Sequence, residues 1–294
     1  MKTITVFTPT YNRAHLLQRL YDSLINQTNQ DFVWLIIDDG SKDNTREVVE
    51  TWQSEKKIHI IYHFKTNGGM HTGHNAAYKL IDTELNVCID SDDYMPVDAV
   101  QNILLEWNAI SNKNTISGMI GLDADKDENV IGTMMPKDVP FGTYNDLFKK
   151  YKATGDKKFV LRTEEVKKYP LYPEFAKEKL VPLGTLYIMM GKSKPFMFLN
   201  KVLCIVEYQQ EGSSNTILKQ YKQSPRGFAY ARKLHINNAA GIGELFSAYI
   251  HLISSSIFAK DYLLAYKDVN PIITFVMYPF GILLNLYIRF KIKK

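Results

Sequence analysis

Among the residues able to do chemistry, Asp90-Ser91-Asp92-Asp93 stand out because they end the apolar run Val87-Cys88-Ile89. An unbroken run of strand-forming apolar residues suits a parallel strand covered on both faces. Carboxylates without partners cannot share that core, so they belong at the strand's carboxyl end, where open α/β sheets bind ligands. Oxygen ligands on alternate residues suit a hard divalent cation, Mg2+ or Mn2+, which takes one or two carboxylates and shares itself with phosphate. The same residues could instead form a solvated acidic turn, with Asp93 capping the segment from Pro96 onward.

Three other loops carry compatible chemistry: residues 8–13, 38–41 and 67–74. Asp39 can accept from a base N–H or a ribose hydroxyl, and Tyr11 offers a face for stacking. Gly68-Gly69 allows close backbone approach ahead of a helix N-terminus, which attracts phosphate. Read alone, Asp38-Asp39-Gly40-Ser41 could be only a turn, and Tyr11 only a packing residue. His71 and His74 have the spacing of a one-face metal pair but lack an adjoining third ligand, which favours capping or phosphate contact over zinc. No Gly-x-Gly-x-x-Gly occurs, and Gly191-Lys192-Ser193 has Leu186 where a P-loop needs its first glycine, so neither a dinucleotide fold nor a P-loop is supported.

The elements that must position these loops alternate. Residues 4–7 read as a strand, and Asn12 can cap the helix that follows over 14–27, where Leu16, Leu17, Leu20, Leu24 and Ile25 form an apolar stripe. Strands over 32–37, 58–62 and 87–89 alternate with helices from Asp43 through Trp52 and over 72–81. This βαβαβαβ order predicts a mostly parallel sheet flanked by helices. A helix over 96–110 comes next. Residues 116–122 and 130–134 read as a hairpin, and residues 143–178, rich in Lys, Tyr and Pro, as loops and short elements over the site. Residues 198–208 regain strand character, Gly212-Ser213-Ser214-Asn215 break the chain, and helices are expected over 226–266.

A chain of 294 residues with 45% hydrophobic content can bury a full core. The net charge of +5, spread along the chain, favours acidic small molecules or a lipid surface and argues against nucleic acid. Cys88 and Cys204 lie in apolar runs and read as buried free thiols, which fits a cytoplasmic setting. Residues 1–8 read as a strand rather than the apolar core of a signal peptide. The tail over 271–288 is very apolar, yet it holds Pro279, Gly281 and Asn285 and leads into Arg289, Lys291, Lys293 and Lys294. It reads as a helix lying on or dipping into a membrane with its basic end at anionic lipid; the alternative is a core helix packed on the sheet.

Thr8-Pro9-Thr10-Tyr11-Asn12-Arg13, Ile36-Ile37-Asp38-Asp39-Gly40-Ser41 with Asp43 and Thr45, Asn67-Gly68-Gly69 with His74-Asn75, and Ile89-Asp90-Ser91-Asp92-Asp93 occur here in order. In this the chain resembles the inverting family 2 glycosyltransferases of the GT-A fold. The resemblance covers roughly the first 110 residues, and residues 198–214 are similar to a later strand of the bacterial surface-polysaccharide members. It implies a GT-A α/β domain over 1–215 and a helical C-terminal extension over 216–294. It also implies a nucleotide-sugar donor, a UDP-sugar above all, contacted by Thr8, Pro9, Tyr11, Arg13, Asp39, Asn67, Gly68, His71 and Asp90. Asp90-Ser91-Asp92 would be the Asp-x-Asp motif, with Asp92 and Asp90 as ligands of Mn2+ or Mg2+.

For the catalytic base the family pattern has an acidic residue after a Val-Pro step, but Val181-Pro182 is followed here by Leu183-Gly184. Glu178 and Glu174 are the nearby candidates; both could instead be solvated loop residues. The implied acceptor is a glycan or lipid-linked hydroxyl, at the inner face of the cell membrane. Two other functions stay open: a nucleotidyltransferase, and a donor-binding subunit without turnover. The chain lacks the several spans and the Gln-x-x-Arg-Trp signature of processive polysaccharide synthases.

Overall fold

The structure is a computed structural model that describes residues 2–192, 194–207 and 216–293. The chain divides into two compact units, Met1–Pro170 with Met189–Tyr208, and Leu171–Ile188 with Gln209–Lys294. The division expected after residue 215, and the break expected at 212–215, lie outside the described residues.

The first unit opens with β1 (Ile4–Thr10), α1 (Ala14–Ile25), β2 (Phe32–Asp38), α2 (Thr45–Glu55), β3 (Ile60–Phe64), α3 (Met70–Leu80), β4 (Leu85–Cys88) and α4 (Ala99–Ala109). This is the alternation read from the sequence. Every residue of β1 and β2 is buried, as parallel strands covered on both faces require. On one face the stripe of α1 meets a stack in which Tyr21 lies 4.4 Å from Trp52 and Trp34 lies 5.7 Å from Trp52. The Trp34 indole donates to Thr8 Oγ1 at 3.0 Å, so the one polar atom of that ring is satisfied inside the core.

The remaining strands are β5 (Gly118–Ala124), β6 (Phe141–Gly142), β7 (Lys157–Arg162) and β8 (Phe196–Ile205), with α5 (Thr163–Val166) after β7 and α6 (Gly184–Met190) before β8. Together they build an eight-stranded sheet in the order β3-β2-β1-β4-β7-β5-β8-β6. β3, β2, β1 and β4 run parallel, and the order reverses at β1, whose neighbours are β2 and β4. That reversal is the switch point at which open α/β sheets leave a crevice beyond their carboxyl ends.

The hairpin expected over 116–122 and 130–134 does not form. β5 instead takes antiparallel β7 on one side and parallel β8 on the other, and Val130 adds a single bridge to Ala124. Sequence reading missed β7 altogether, although it lies between β4 and β5. Its charged residues hide it: Lys157 donates to the carbonyls of Thr154 and Ile131 at 2.7 and 3.1 Å, Arg162 pairs with Glu165 at 3.3 Å, and Lys158 sits 3.9 Å from Asp123. A strand whose charged residues are paired inside the fold, some with near neighbours and some with distant ones, does not look apolar in sequence.

The second unit contains α7 (Ile217–Gln223), α8 (Pro225–Asn237), α9 (Ile242–Ala259) and α10 (Pro271–Lys293). α10 packs on α9 through an apolar cluster of Tyr249, Ile253 and Met277 and through small and polar residues. A Cβ on Gly281 would stand 2.4 Å from Ile253 Cγ2, Asn285 Nδ2 donates to Ser254 O at 3.1 Å, and Thr274 Oγ1 donates to Ala265 O at 3.1 Å. Its large apolar residues face outward: Ile272, Phe275, Val276, Leu283, Leu286 and Phe290 are all more than half exposed. The polarity is the reverse of a core helix.

Leu161 of β7 is 2% exposed. If β7 is a central strand, Leu161→Ala lowers unfolding stability by about 3 kcal/mol in urea titration; in a surface loop the change would stay within about 0.5 kcal/mol.

Candidate nucleotide-diphosphate site

The loops after β1, β2, β3 and β4 meet at the carboxyl edge of the sheet. Asp39 N donates to Thr10 O at 2.8 Å, Asn12 N donates to Ser41 Oγ at 2.8 Å, and Lys42 N donates to Asn12 Oδ1 at 2.7 Å. Asn12, at φ 53°, therefore ties two loops together rather than capping α1. The free amide of Ala14, in the first turn of α1, goes to Asp43 Oδ2 at 3.0 Å, a carboxylate borrowed from the next crossover.

Asp39 is 4% exposed, and its carboxylate builds the neighbouring loop. Oδ1 accepts from Lys65 Nζ at 2.5 Å and Gly68 N at 2.8 Å; Oδ2 accepts from Asn67 Nδ2 at 3.1 Å and Gly69 N at 2.7 Å. Four donors fill the acceptor capacity of an ionised carboxyl group. The residue singled out for direct base or ribose contact thus shapes the Asn67-Gly68-Gly69 loop. Gly69, at φ 95°, makes the turn that starts α3. Lys65, which sequence reading did not single out, bridges Asp39 to Thr72 Oγ1 at 2.7 Å.

The other expected nucleotide residues divide by exposure. Tyr11 is 44% exposed, free of the core and available for stacking. Thr8 and Pro9 are buried, Thr8 accepting from Trp34 and Pro9 packing under α3 at Gly73. His71 is buried in the first turn of α3. Its companion His74 has Tyr78 Oη at 3.2 Å and Cys88 Sγ at 3.6 Å from its two ring nitrogens. Burial, helped by the neighbouring His71, pushes the His74 pKa down to about 3, so it is a neutral core imidazole.

At the end of β4 the acidic tip is held by two arginines of the first crossover. Arg13 Nη1 pairs with Asp92 Oδ2 at 3.1 Å and donates to Ser91 Oγ at 3.3 Å. Arg19 Nη2 donates to the Asp92 carbonyl at 2.7 Å, pairs with Glu207, and lies 4.9 Å over the Tyr94 ring. Asp93 does not cap a helix. It accepts from Glu207 N at 3.2 Å, and α4 begins at Ala99 without a side-chain cap. Burial raises the pKa of Asp93 to about 7, against the opposing charge of Lys158, with Asp90 and Asp92 adding to the rise. Burial likewise raises Asp92, with Arg13 opposing it, and takes Asp123 to about 6. Cys88 and Cys204 are free thiols, pushed well up by burial.

Among the described residues no three His, Cys, Asp or Glu side chains are grouped to hold a metal ion. The donors that remain, Asp90 and Asp92, are hard oxygens on alternate residues in a locally crowded anionic patch. That set fits Mg2+ or Mn2+, which completes its shell with phosphate and water, and does not fit zinc.

The two glutamates expected as bases lie in the second unit. Glu178 is 8% exposed, and its oxygens accept from Arg226 N at 3.0 Å and Gly227 N at 2.9 Å. It satisfies the first turn of α8, a structural task that sequence spacing could not reveal. Glu174 is exposed.

A mostly parallel sheet flanked by helices, with helices at the C-terminus, makes this a GT-A glycosyltransferase fold. Residues 5–162 match the family Glycosyl transferase family 2, and the chain belongs to it. It is similar to the chondroitin synthase of Pasteurella multocida, 37% identical over 105 residues that are 35% of this chain and 11% of that protein. It is also similar to the poly(ribitol-phosphate) β-N-acetylglucosaminyltransferase TarP of Staphylococcus aureus, 31% identical over 129 residues, 42% of this chain and 38% of that one. The chain thus spans well under half of each of these relatives. In structure it is similar to S. aureus TarS 1–349 in complex with UDP-GlcNAc, with TM-score 0.62, 18% identity, and coverage of 95% of this chain and 89% of that one. A mannosyltransferase from Pyrobaculum calidifontis, in complex with GDP-Man and Mn2+, has TM-score 0.54 at 17% identity, covering 97% and 87%.

Glu178→Gln leaves one backbone donor of α8 facing an amide NH2. The expected loss is about 1–3 kcal/mol of stability, read as a lower thermal midpoint, with activity per folded molecule retained.

Proposed function

We propose that this chain transfers a sugar from a UDP-sugar to a hydroxyl of a cell-surface polymer or its lipid-linked precursor, with a divalent cation at Asp90 and Asp92. The observation that carries the reading is the acidic tip at the switch point, with the Tyr11 loop and the Gly68-Gly69 turn following neighbouring parallel strands at the same carboxyl edge. TarS with UDP-GlcNAc and the name of TarP support the donor and acceptor classes; the mannosyltransferase with Mn2+ supports the cation.

Departure of a nucleoside diphosphate builds negative charge on phosphate oxygens, and a bound Mg2+ or Mn2+ supplies Lewis-acid stabilisation there. The chain's own residues do the rest. Tyr11 stacks on the base, the N-terminus of α3 faces the phosphates, and Asp39, which takes the Gly68 and Gly69 amides, holds with Lys65 the turn ahead of it rigid. A carboxylate base takes the proton of the acceptor hydroxyl, for which the sequence offers Glu174. Inversion follows from in-line attack opposite the leaving group.

A second reading, donor binding without turnover, is favoured by one observation: Leu183 stands where the family pattern carries an acid. Calorimetric titration with UDP, GDP and CDP, with and without Mn2+, followed by an assay of UDP release from UDP-sugars, separates the two. We expect UDP to bind only with Mn2+, Asp92→Asn to weaken that binding at least about tenfold, which is about 1.4 kcal/mol, and the wild type to release UDP. Binding without release under any acceptor supports the second reading, and no binding of any diphosphate removes both.

We further infer that the α9–α10 pair seats the protein on the inner face of an anionic membrane. Both helices are long and apolar enough to cross a bilayer. Beside the buried cluster of Met277, Tyr249 and Ile253, α10 turns a broad outward face of Ile272, Phe275, Val276, Leu283, Leu286 and Phe290, a face suited to lipid as the solvent, and Arg289 and Lys291 end it. Free thiols at Cys88 and Cys204 suit the reducing side. The protein should float with phosphatidylglycerol vesicles, and Phe275→Ser with Leu283→Ser should abolish flotation while UDP binding persists; unchanged flotation would refute this placement.

A further inference from the structure

Arg13 and Arg19 leave the same helix turn region for the same aspartate and grip it differently. Arg19 holds the Asp92 carbonyl at 2.7 Å and is braced by Glu207 and Tyr94, so it fixes the backbone of the acidic tip. Arg13 holds only the side chain, through one nitrogen to Asp92 Oδ2 at 3.1 Å, and its own side chain is 37% exposed against 16% for Asp92. The oxygen it holds belongs to the expected cation site. A guanidinium and a divalent cation cannot sit side by side on one carboxylate without strong like-charge repulsion.

We propose, on the donor-site reading above, that Arg13 is a resident placeholder cation: it occupies Asp92 in the unliganded protein, is displaced when metal arrives with nucleotide, and then pairs with the diphosphate. The geometry allows this exchange because Arg13 is long and held by single side-chain hydrogen bonds, whereas Arg19, no less exposed, is anchored to the Asp92 carbonyl and Glu207 and keeps the tip in place when Arg13 leaves. An always-charged planar group suited to phosphate is what the second half of the exchange requires. The consequence is coupling. Metal alone has to compete with an intramolecular cation, and metal with a diphosphate does not, since the phosphates give Arg13 somewhere to go.

The test measures two affinities in one protein. Binding of Mn2+ alone is followed by the loss of the free-ion electron paramagnetic resonance signal, and binding of UDP at saturating Mn2+ by calorimetry. Arg13→Gln should bind Mn2+ alone about tenfold more tightly and UDP about tenfold more weakly, each about 1.4 kcal/mol, with an unchanged thermal midpoint. Arg13→Lys, which keeps the charge, should fall between wild type and Arg13→Gln on both measures and serves if the glutamine variant is poorly folded. Arg19→Gln, by contrast, should weaken both. An Arg13→Gln protein that binds Mn2+ no more tightly than wild type overturns the placeholder. If wild type itself fails to bind UDP with Mn2+, the donor site falls and this inference with it; if wild type binds and the opposed shifts are missing, only this inference falls.

Discussion

Taking charge out of water without compensation is the constraint on which this molecule is arranged. β4 carries its chain out of a dry core into Asp90, Asp92 and Asp93, and the surrounding elements supply the counter-charges. Arg13 and Arg19 come from the first crossover, Lys158 from a strand that arrives much later, and the Glu207 amide from the end of β8. Compensation is incomplete, as the raised carboxyls of Asp92, Asp93 and Asp123 show. A site that still favours positive charge after the protein has spent its own cations is suited to a divalent ion shared with a diphosphate.

The same economy governs the opposite side of the crevice. Asp39 gives all its acceptor capacity to Lys65, Asn67, Gly68 and Gly69, and so converts a flexible Gly-Gly step into a fixed turn at the head of α3. Asp38 beside it accepts from Ser41 N at 2.7 Å and from Tyr62 Oη at 2.5 Å. The acidic pair therefore acts through the backbone it positions. Rigid placement of amides ahead of a helix costs nothing at the moment of reaction, which is where preorganised sites gain most.

In the second unit the logic is inverted. Glu178 closes the first turn of α8, and between α9 and α10 an apolar cluster of Tyr249, Ile253 and Met277 is joined by Gly281 and by Asn285 bonded to Ser254, while other bulky apolar side chains of α10 stay outside. Hydrogen bonds such as Asn285 to Ser254 can hold such a seam when the outward face has no water to avoid.

By itself the sequence determined the alternation of β1 to β4 with their helices, the acidic end of β4, the loops that converge on it, and two thiols without a disulfide. These are legible because period and turn chemistry are local: the apolar runs are short and complete, and Asp, Asn and Gly mark where they stop. Only the tertiary structure decided which residues serve the site and which serve the fold. β7 was invisible because Lys157, Lys158 and Arg162 break its apolar run, and the partner that lets Lys158 be buried, Asp123, lies elsewhere in the chain. That Asp39 braces the 67–69 turn and Glu178 the first turn of α8 could not be read in advance, because a carboxylate's donors cannot be counted until the chain is folded. The tail read as a membrane-surface helix or a core helix, and only its packing on α9 showed which side is buried. Each depends on a contact between residues far apart in sequence, and no local pattern encodes that distance.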